Sequence, residues 1–280
     1  MNYLTISKHT SHIKHRILLY YLGCVNQAKL NENWGYIETH GASGICVDKT
    51  GAFIKGSPVI VHEKFPKISM RLCELNEKRF QLLRKQFEDK SQIRVYLGDC
   101  NTLLDKLHSL DDNVWYFHFV DPDGIRTDGY DQLQYETVKQ IIKWRNSEIL
   151  LNFPLIPFLR WGSYLIKHPE KRGSIVLKEA FTRFYGSKDW IKYYSPMNNP
   201  KWDIENLVNN YIDSLQPYYD QPIQKYLVKT EKNLKVYYLI HGTNHSLGYL
   251  FMSKAFKKAE IWTKRLAWDL GQVSLNKFRM

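Results

Sequence analysis

Two apolar runs near the end of the chain, Ile223 to Val228 and Lys235 to His241, are joined by the short link Lys229-Thr230-Glu231-Lys232-Asn233. A parallel crossover needs a dozen or more residues, so this pair must be antiparallel. Every earlier strand-like run is followed by room for a helix: Trp34 to Thr39, Ile68 to Cys73, Ile93 to Leu97, Val114 to Val120 and Glu148 to Phe153. Between them lie helical patterns: Asn76 to Glu88, with Phe80, Leu83 and Phe87 on one face, then Asn101 to Leu107, then Tyr130 to Trp144. Such alternation predicts βαβ units and a parallel, doubly wound α/β sheet. Val114 to Val120 is apolar on both faces, which places it in the covered middle of the sheet. The expectation is a Rossmann-like, seven-stranded, mostly parallel sheet with an antiparallel last strand.

The rest of the chain hangs on that frame as one domain, residues 1–280. An N-terminal amphipathic helix is expected over 12–30, from the spacing of Ile13, Ile17, Leu18, Tyr21, Leu22 and Val25. Ser57 before Pro58 is expected to cap a short helix running to His62. The alternation breaks after Asn152, and residues 158–202 read as an insertion with nine Lys or Arg, three Asp or Glu and ten aromatic rings. A helix near Ile204 to Leu215 and a final one over Tyr249 to about Leu266 complete the reading. The last dozen residues are expected to pack poorly.

With 280 residues, 44% of them hydrophobic, the chain can bury a large core. No apolar run approaches the roughly 18 residues of a membrane helix. The N-terminus carries His and Lys in place of a signal-peptide core, so a cytoplasmic protein with no membrane partner is expected. Cys24, Cys46, Cys73 and Cys100 show no CxxC spacing, which points to reduced thiols and no metal. The net charge of +12 is uneven: residues 1–156 hold 20 basic against 18 acidic side chains, and 157–280 hold 20 against 10. A basic half suggests a polyanionic partner, because Lys and Arg that displace condensed counterions give sequence-independent affinity for nucleic acid.

Candidate chemistry gathers where strands end, the edge at which open α/β sheets bind ligands. Five parallel units closed by an antiparallel pair suggest the class I S-adenosylmethionine-dependent methyltransferases; dinucleotide dehydrogenases lack the closing hairpin. Gly41 and Gly44 after the first strand would let the backbone approach a ligand. The full GxGxxG for a pyrophosphate is missing, which favours a donor without phosphate. Glu74 is expected to accept from ribose hydroxyls, and Asp99, with Cys100 beside it, to meet the adenine. A plain turn at the glycines and a helix cap at Glu74 are the alternatives. Asp121-Pro122-Asp123-Gly124 ends the fourth strand where a methyl acceptor would sit, and Asn152 ends the fifth. Asp121 is expected to orient or deprotonate a nucleophile and Asn152 to position substrate. Their rivals are a Pro-Asp-Gly turn and an Asx turn. Amino-methyltransferases of nucleic acids often place an aromatic ring where Asp123-Gly124 stands, so the stacking residue is missing there.

His241 and His245 end the antiparallel strand, away from that edge, and are expected to cap the last helix; His12 and His15 are expected on a solvated face. The insertion has two readings. Its rings stack on unpaired bases while Arg160, Lys167, Lys171, Arg172, Arg183, Lys188 and Lys192 follow phosphates, or its rings form a small core beneath a solvated rim. Its concentrated charge beside the presumed target edge favours binding.

Across nearly the whole chain, several stretches resemble the three-Cys-motif partner protein (TcmP) family. They are His9-Thr10 with Lys14-His15, Tyr36-Ile37-Glu38, Gly56-Ser57-Pro58, Asp121-Pro122-Asp123-Gly124, Glu148-Ile149-Leu150-Leu151-Asn152-Phe153 and Tyr237-Tyr238-Leu239-Ile240. The family's pattern has an Asp where this chain has Glu38, a Phe-Ala-Gly-x-Gly-like turn where it has His40-Gly41-Ala42-Ser43-Gly44, and a Phe where it has Asp123. The resemblance implies a methyltransferase-like domain of prokaryotes and their mobile elements, with a companion protein that carries the three cysteines. Cofactor binding through Glu38, Gly41, Gly44, Glu74, Asp99 and Cys100, and an acceptor held by Asp121 and Asn152, are the resulting expectations. The leading reading is an S-adenosylmethionine-dependent methyltransferase acting on nucleic acid or on a nucleic-acid-bound partner, and a non-catalytic subunit that brings the companion to nucleic acid is the second.

Overall fold

Seven strands pair into one sheet: β1 (Trp34–Glu38), β2 (Ser69–Glu74), β3 (Ile93–Leu97), β4 (Trp115–Val120), β5 (Ser147–Pro154), β6 (Gln224–Lys229) and β7 (Lys235–Gly242). The computed structural model describes residues 8–28, 33–48, 50–107, 114–144, 146–195 and 201–276, with side chains from Thr10 to Thr263. The strand order is β6-β7-β5-β4-β1-β2-β3. Only β7 runs against its neighbours, antiparallel to both β5 and β6, while β1, β2, β3, β4 and β5 pair in parallel. β5 is buried at all eight positions, as a strand covered on both faces must be.

Helices cover both faces. On one side α1 (Lys8–Gln27), α2 (Ser57–Lys64), α3 (Glu77–Gln86) and α9 (Ser246–Asn276) bring Ile17, Val61, Leu83 and Met252 against Tyr36, Met70, Phe117 and Leu150. On the other, α4 (Cys100–Leu107), α5 (Tyr135–Lys143), α7 (Arg172–Tyr185) and α8 (Ile204–Leu215) bring Leu104, Ile141, Phe181 and Leu207 against Ile37, Tyr116, Ile149 and Leu151. Tyr36 and Ile37 go to opposite sides, as the period of two in a strand dictates. Burying each Ile or Leu contributes about 1.5–3 kcal/mol. No helix among the described residues is long and apolar enough to cross a membrane.

Some elements differ from the sequence expectation. α1 begins at Lys8 and ends at Gln27; Leu30 lies outside the described residues. α2 starts at Ser57 itself, with Gly56 at the cap position and no side-chain cap, because the Ser57 hydroxyl donates to Glu38. Tyr130 does not start a helix: Tyr130–Asp131 pairs with Arg126–Thr127 in a two-residue ribbon before α5. The final helix runs from Ser246 to Asn276. His245 caps it, its Nδ1 accepting from the Leu247 N–H at 3.2 Å. His241 does not: it is buried beneath α1 and donates to Glu148, which also accepts from Tyr21 and from Thr243 at 3.1 Å.

Between β5 and α8 lie a π-helical turn at Phe158–Gly162, a short helix α6 (Ser163–Lys167), α7, a 3-10 turn at Lys188–Tyr193 and a ribbon pairing Tyr194–Ser195 with Lys201–Trp202. Most rings of this segment form a core. Phe158 lies 5.0 Å from Phe181, Trp190 stacks on Trp202 at 6.4 Å, and Phe153 of β5 stacks on Phe158 at 5.7 Å. A Cβ at Gly162 would fall 2.3 Å from the Trp202 ring, so only glycine lets the π turn press against this core. Trp161 and Tyr164 stay outside it, 47% and 39% exposed.

Candidate functional site

β1 leads outward to β2 on one side of the sheet, and its other neighbour, β4, leads to β5 on the other side. The loops after β1 and β4 therefore diverge, and the crevice between them is the topological switch point of the sheet. Two hollows open there and share Asp123 in their walls.

The first is lined by His40 and Ala42 after β1, Glu74 and Arg79 after β2, Asp99 and Cys100 after β3, and by Asp123 and Gln132. Glu74 closes β2, and its Oε1 accepts the Asn76 N–H at 2.7 Å; Asn76 in turn caps α3 by accepting from Arg79 N at 3.1 Å. The Arg79 side chain folds back over the hollow, Nε 3.2 Å from Glu74 and Nη1 3.5 Å from Asp123. Asp99 precedes α4, and its Oδ1 accepts from the backbone N–H and side-chain amide of Asn101 at 2.9 and 2.8 Å. His40 Nε2 donates to the Gln132 carbonyl at 2.8 Å, which leaves Nδ1 to accept from the Thr39 hydroxyl at 2.7 Å. Burial pushes the His40 imidazole below its ordinary pKa, against the pull of that carbonyl, so the ring is neutral. Burial also raises Cys100 well above the usual thiol range. With Arg79 in place the cavity is about 20 Å³, room for a water or two.

The second hollow is a cleft of about 510 Å³ between the β4 loop, the end of β5 and the π turn, a size suited to a small-molecule or single-residue ligand. Asp121 stands at its floor. Its Oδ2 pairs with Lys14, reaching across from α1, and its Oδ1 accepts from Asn152 Nδ2 at 2.7 Å. Burial alone would raise the Asp121 carboxyl; the Lys14 charge and the hydrogen bonds from Lys14 and Asn152 outweigh it and hold the group below its ordinary range. Because a carboxylate only accepts, the nitrogen end of the Asn152 amide must face Asp121. Asn152 Oδ1 is then buried without a hydrogen-bond partner among the described residues. Trp161, Arg160 and Ile156 form the outer wall.

Of the residues singled out in the sequence, Glu74, Asp99 and Cys100 meet in the first hollow, and Asp121 and Asn152 in the second. Glu38, Gly41 and Gly44 line neither. Glu38 is 1% exposed and accepts from Tyr36 at 2.8 Å and from Ser57. Desolvation raises its carboxyl to about 8, only partly offset by those two hydrogen bonds. A Cβ on Gly41 would strike Leu83 at 2.7 Å, and one on Gly44, at φ +70°, would meet Gln86 at 2.9 Å. Both glycines serve packing against α3, and Ala42, at φ +50°, faces the hollow instead.

Arg160, Lys167, Lys171, Arg172, Arg183, Lys188 and Lys192 are all exposed. Arg183 is taken by Asp131 at 2.5 Å and Lys192 by Asp189 at 3.4 Å. Burial lifts the thiols of Cys46 and Cys73 to about 11 and about 12. Among the described residues no three His, Cys, Asp or Glu side chains converge as metal ligands.

Sequence reasoning assigned no role to Lys14 or Arg79. Arg79 carried a local signal, a basic residue in the first turn of a helix, where the dipole disfavours it. Lys14 carried no local sign of its pairing, since its partner is 107 positions away.

No protein-family model matches the chain, and no curated protein matches it in sequence. Solved structures resemble it in fold. Protein LPL1258 from Legionella pneumophila str. Philadelphia 1 is 17% identical, with a TM-score of 0.39 over 57% of this chain and 73% of that one. Precorrin-6y C5,15-methyltransferase from Geobacter metallireducens GS-15 is 10% identical, with a TM-score of 0.39 over 80% and 87%. A methyltransferase from Pyrococcus furiosus is 12% identical, with a TM-score of 0.37 over 81% and 82%. Likeness at this level concerns the arrangement of strands and helices and carries no reaction to this chain. The strand order with its single antiparallel strand is that of the Rossmann-like methyltransferase fold.

Proposed function

We propose that this chain is an S-adenosylmethionine-dependent methyltransferase whose acceptor is a nucleic acid. The observation that carries the reading is the pair of hollows joined at Asp123, one ending on the carboxylates of Glu74 and Asp99, the other on Asp121 and Asn152. Glu74 and Asp99 offer acceptor oxygens at the ends of adjacent strands, which fits ribose hydroxyls and an adenine amine once Arg79 swings out of the hollow. Adenosylmethionine, when bound, supplies an electrophilic sulfonium methyl. The chain's own residues contribute alignment: Asp121, held ionised by Lys14, orients the acceptor and takes its proton, and Asn152 fixes the acceptor's approach. Arg160, Lys167, Lys171, Arg172 and Lys188, exposed around the cleft's outer wall and the adjoining helices, support a polyanionic acceptor.

Transfer of a labelled methyl group from adenosylmethionine to DNA or RNA by the purified chain, abolished in Asp121→Ala, is the expected result. No transfer to either polymer, with donor bound, would remove nucleic acid as acceptor.

The closure of the first hollow by Arg79 favours a second reading, a non-catalytic subunit that recruits a companion protein, such as one bearing the three cysteines, to nucleic acid. Absence of donor binding combined with retention on nucleic acid would select it.

A further inference from the structure

We infer that the cleft takes an unpaired nucleobase bearing an exocyclic amine, as in adenine or cytosine, and that Trp161 is its stacking platform. This deepens the methyl-transfer reading and rests on it for the reaction alone. Three observations converge on the inference.

The loop after β4 ends in Asp123-Gly124 and presents no ring to the cleft. A ring comes from elsewhere: Trp161 lines the cleft and is 47% exposed, although its neighbours Phe158, Phe181, Trp190 and Trp202 are buried together. The π-helical turn at Phe158–Gly162 produces this separation, sending Phe158 into the core and leaving Trp161 outside. Local π turns recur at functional sites for this kind of re-aiming. A half-exposed indole beside a cleft gives any base a face to stack on.

At the floor, Asn152 and Asp121 offer acceptor oxygens, and the Lys14 ammonium that lines the same cleft is engaged by Asp121. Asn152 is 6% exposed, its Oδ1 lacks a partner, and Asp121 beside it is an ionised carboxylate. An amino group brings two N–H donors to two acceptors. A thymine edge brings one N–H flanked by carbonyls that face those acceptors unfavourably. Arg160, on the same wall as Trp161, is exposed where a backbone phosphate would leave the cleft. In the reaction, the amine lone pair forms the new N–C bond as the sulfonium C–S bond breaks. That bond's electron pair stays on sulfur, and the nitrogen's proton passes to Asp121.

The test is fluorescence anisotropy with labelled single-stranded dA, dC and dT homopolymers of about ten nucleotides, on wild type, Trp161→Ala, Trp161→Phe and Asn152→Leu. Trp161→Ala should weaken binding of all three about ten- to a hundredfold, and Trp161→Phe should restore most of it. Wild type should prefer dA and dC over dT about tenfold, and Asn152→Leu should erase that preference. Unchanged affinity in Trp161→Ala would overturn the stacking assignment, and equal binding of dT and dA by wild type would overturn the amine assignment. Failure of the methyl-transfer reading registers separately, as absence of adenosylmethionine binding, a measurement that does not involve Trp161.

Discussion

Arg79 Nε lies 3.2 Å from Glu74 Oε1, an oxygen that also accepts the Asn76 N–H. On the proposed reading, the guanidinium and a ribose diol compete for the same carboxylate, and Arg79 sets the cost of opening the hollow to the donor. Arg79→Ala should bind adenosylmethionine about five- to tenfold more tightly by calorimetry. Both partners are largely buried, so it should also lose about 1–3 kcal/mol of stability.

Lys14 and Asp121 couple the N-terminal helix to the floor of the second hollow. The folded Asp121 carboxyl is held below its ordinary value of 3.8, so the pair's stabilisation is present above that value and is lost as pH falls through the folded pKa. In Lys14→Met, desolvation is left without its counterweight and the pKa rises. The acid limb of kcat/KM, and the pH at which thermal stability begins to fall, should both move upward. A pH profile superimposable on wild type would contradict the assignment.

Glu38 behaves in the opposite sense. Its carboxyl is raised from 4.5 to about 8 by burial, so the folded chain holds a proton that the unfolded chain releases. Its contribution is fully present below the unfolded pKa and is lost as pH rises through about 8. The slope reaches at most about 1.4 kcal/mol per pH unit. Glu38→Gln imitates the protonated form and should flatten thermal stability between pH ~5 and ~8.

The insertion's rings divide into two kinds that mutagenesis should separate. Trp190 is fully buried against Phe181 at 5.1 Å and Trp202, and Trp190→Ala should cost about 3–5 kcal/mol in urea unfolding. Trp161→Ala, outside that core, should cost about 0.5 kcal/mol or less. Similar losses at both positions would mean that Trp161 is structural.

The exposed cations make a prediction about salt. Each phosphate contact contributes about 0.7 to the slope of log K against log salt for a single strand. Replacing Lys167, Lys171 and Lys188 with Gln should therefore reduce the slope by about two and weaken all sequences alike. Filter binding over a range of salt concentrations measures this.

All seven strands were legible in the sequence within a residue or two, because β-period runs, helical spacing and one short link leave a single consistent topology. Of the candidate residues, Glu74, Asp99, Asp121 and Asn152 were read at strand ends, and the sheet brings them to the walls of the two hollows. The site was illegible where tertiary contact decides. Ser57 had the local pattern of a cap, but its hydroxyl goes to Glu38, 19 positions away. Gly41 and Gly44 answer to Leu83 and Gln86. The rings of the insertion follow no period, so only packing could assign Trp190 to the core and Trp161 to the cleft.

The central claim is that the hollow between Glu74 and Asp99 holds adenosylmethionine, and calorimetric titration of the purified chain tests it most directly, with Glu74→Gln and Asp99→Asn as controls. Micromolar binding in the wild type, weakened about tenfold or more in each variant, is the predicted result. A folded wild-type chain that takes up no adenosylmethionine or adenosylhomocysteine, or variants that bind as well as wild type, would contradict it.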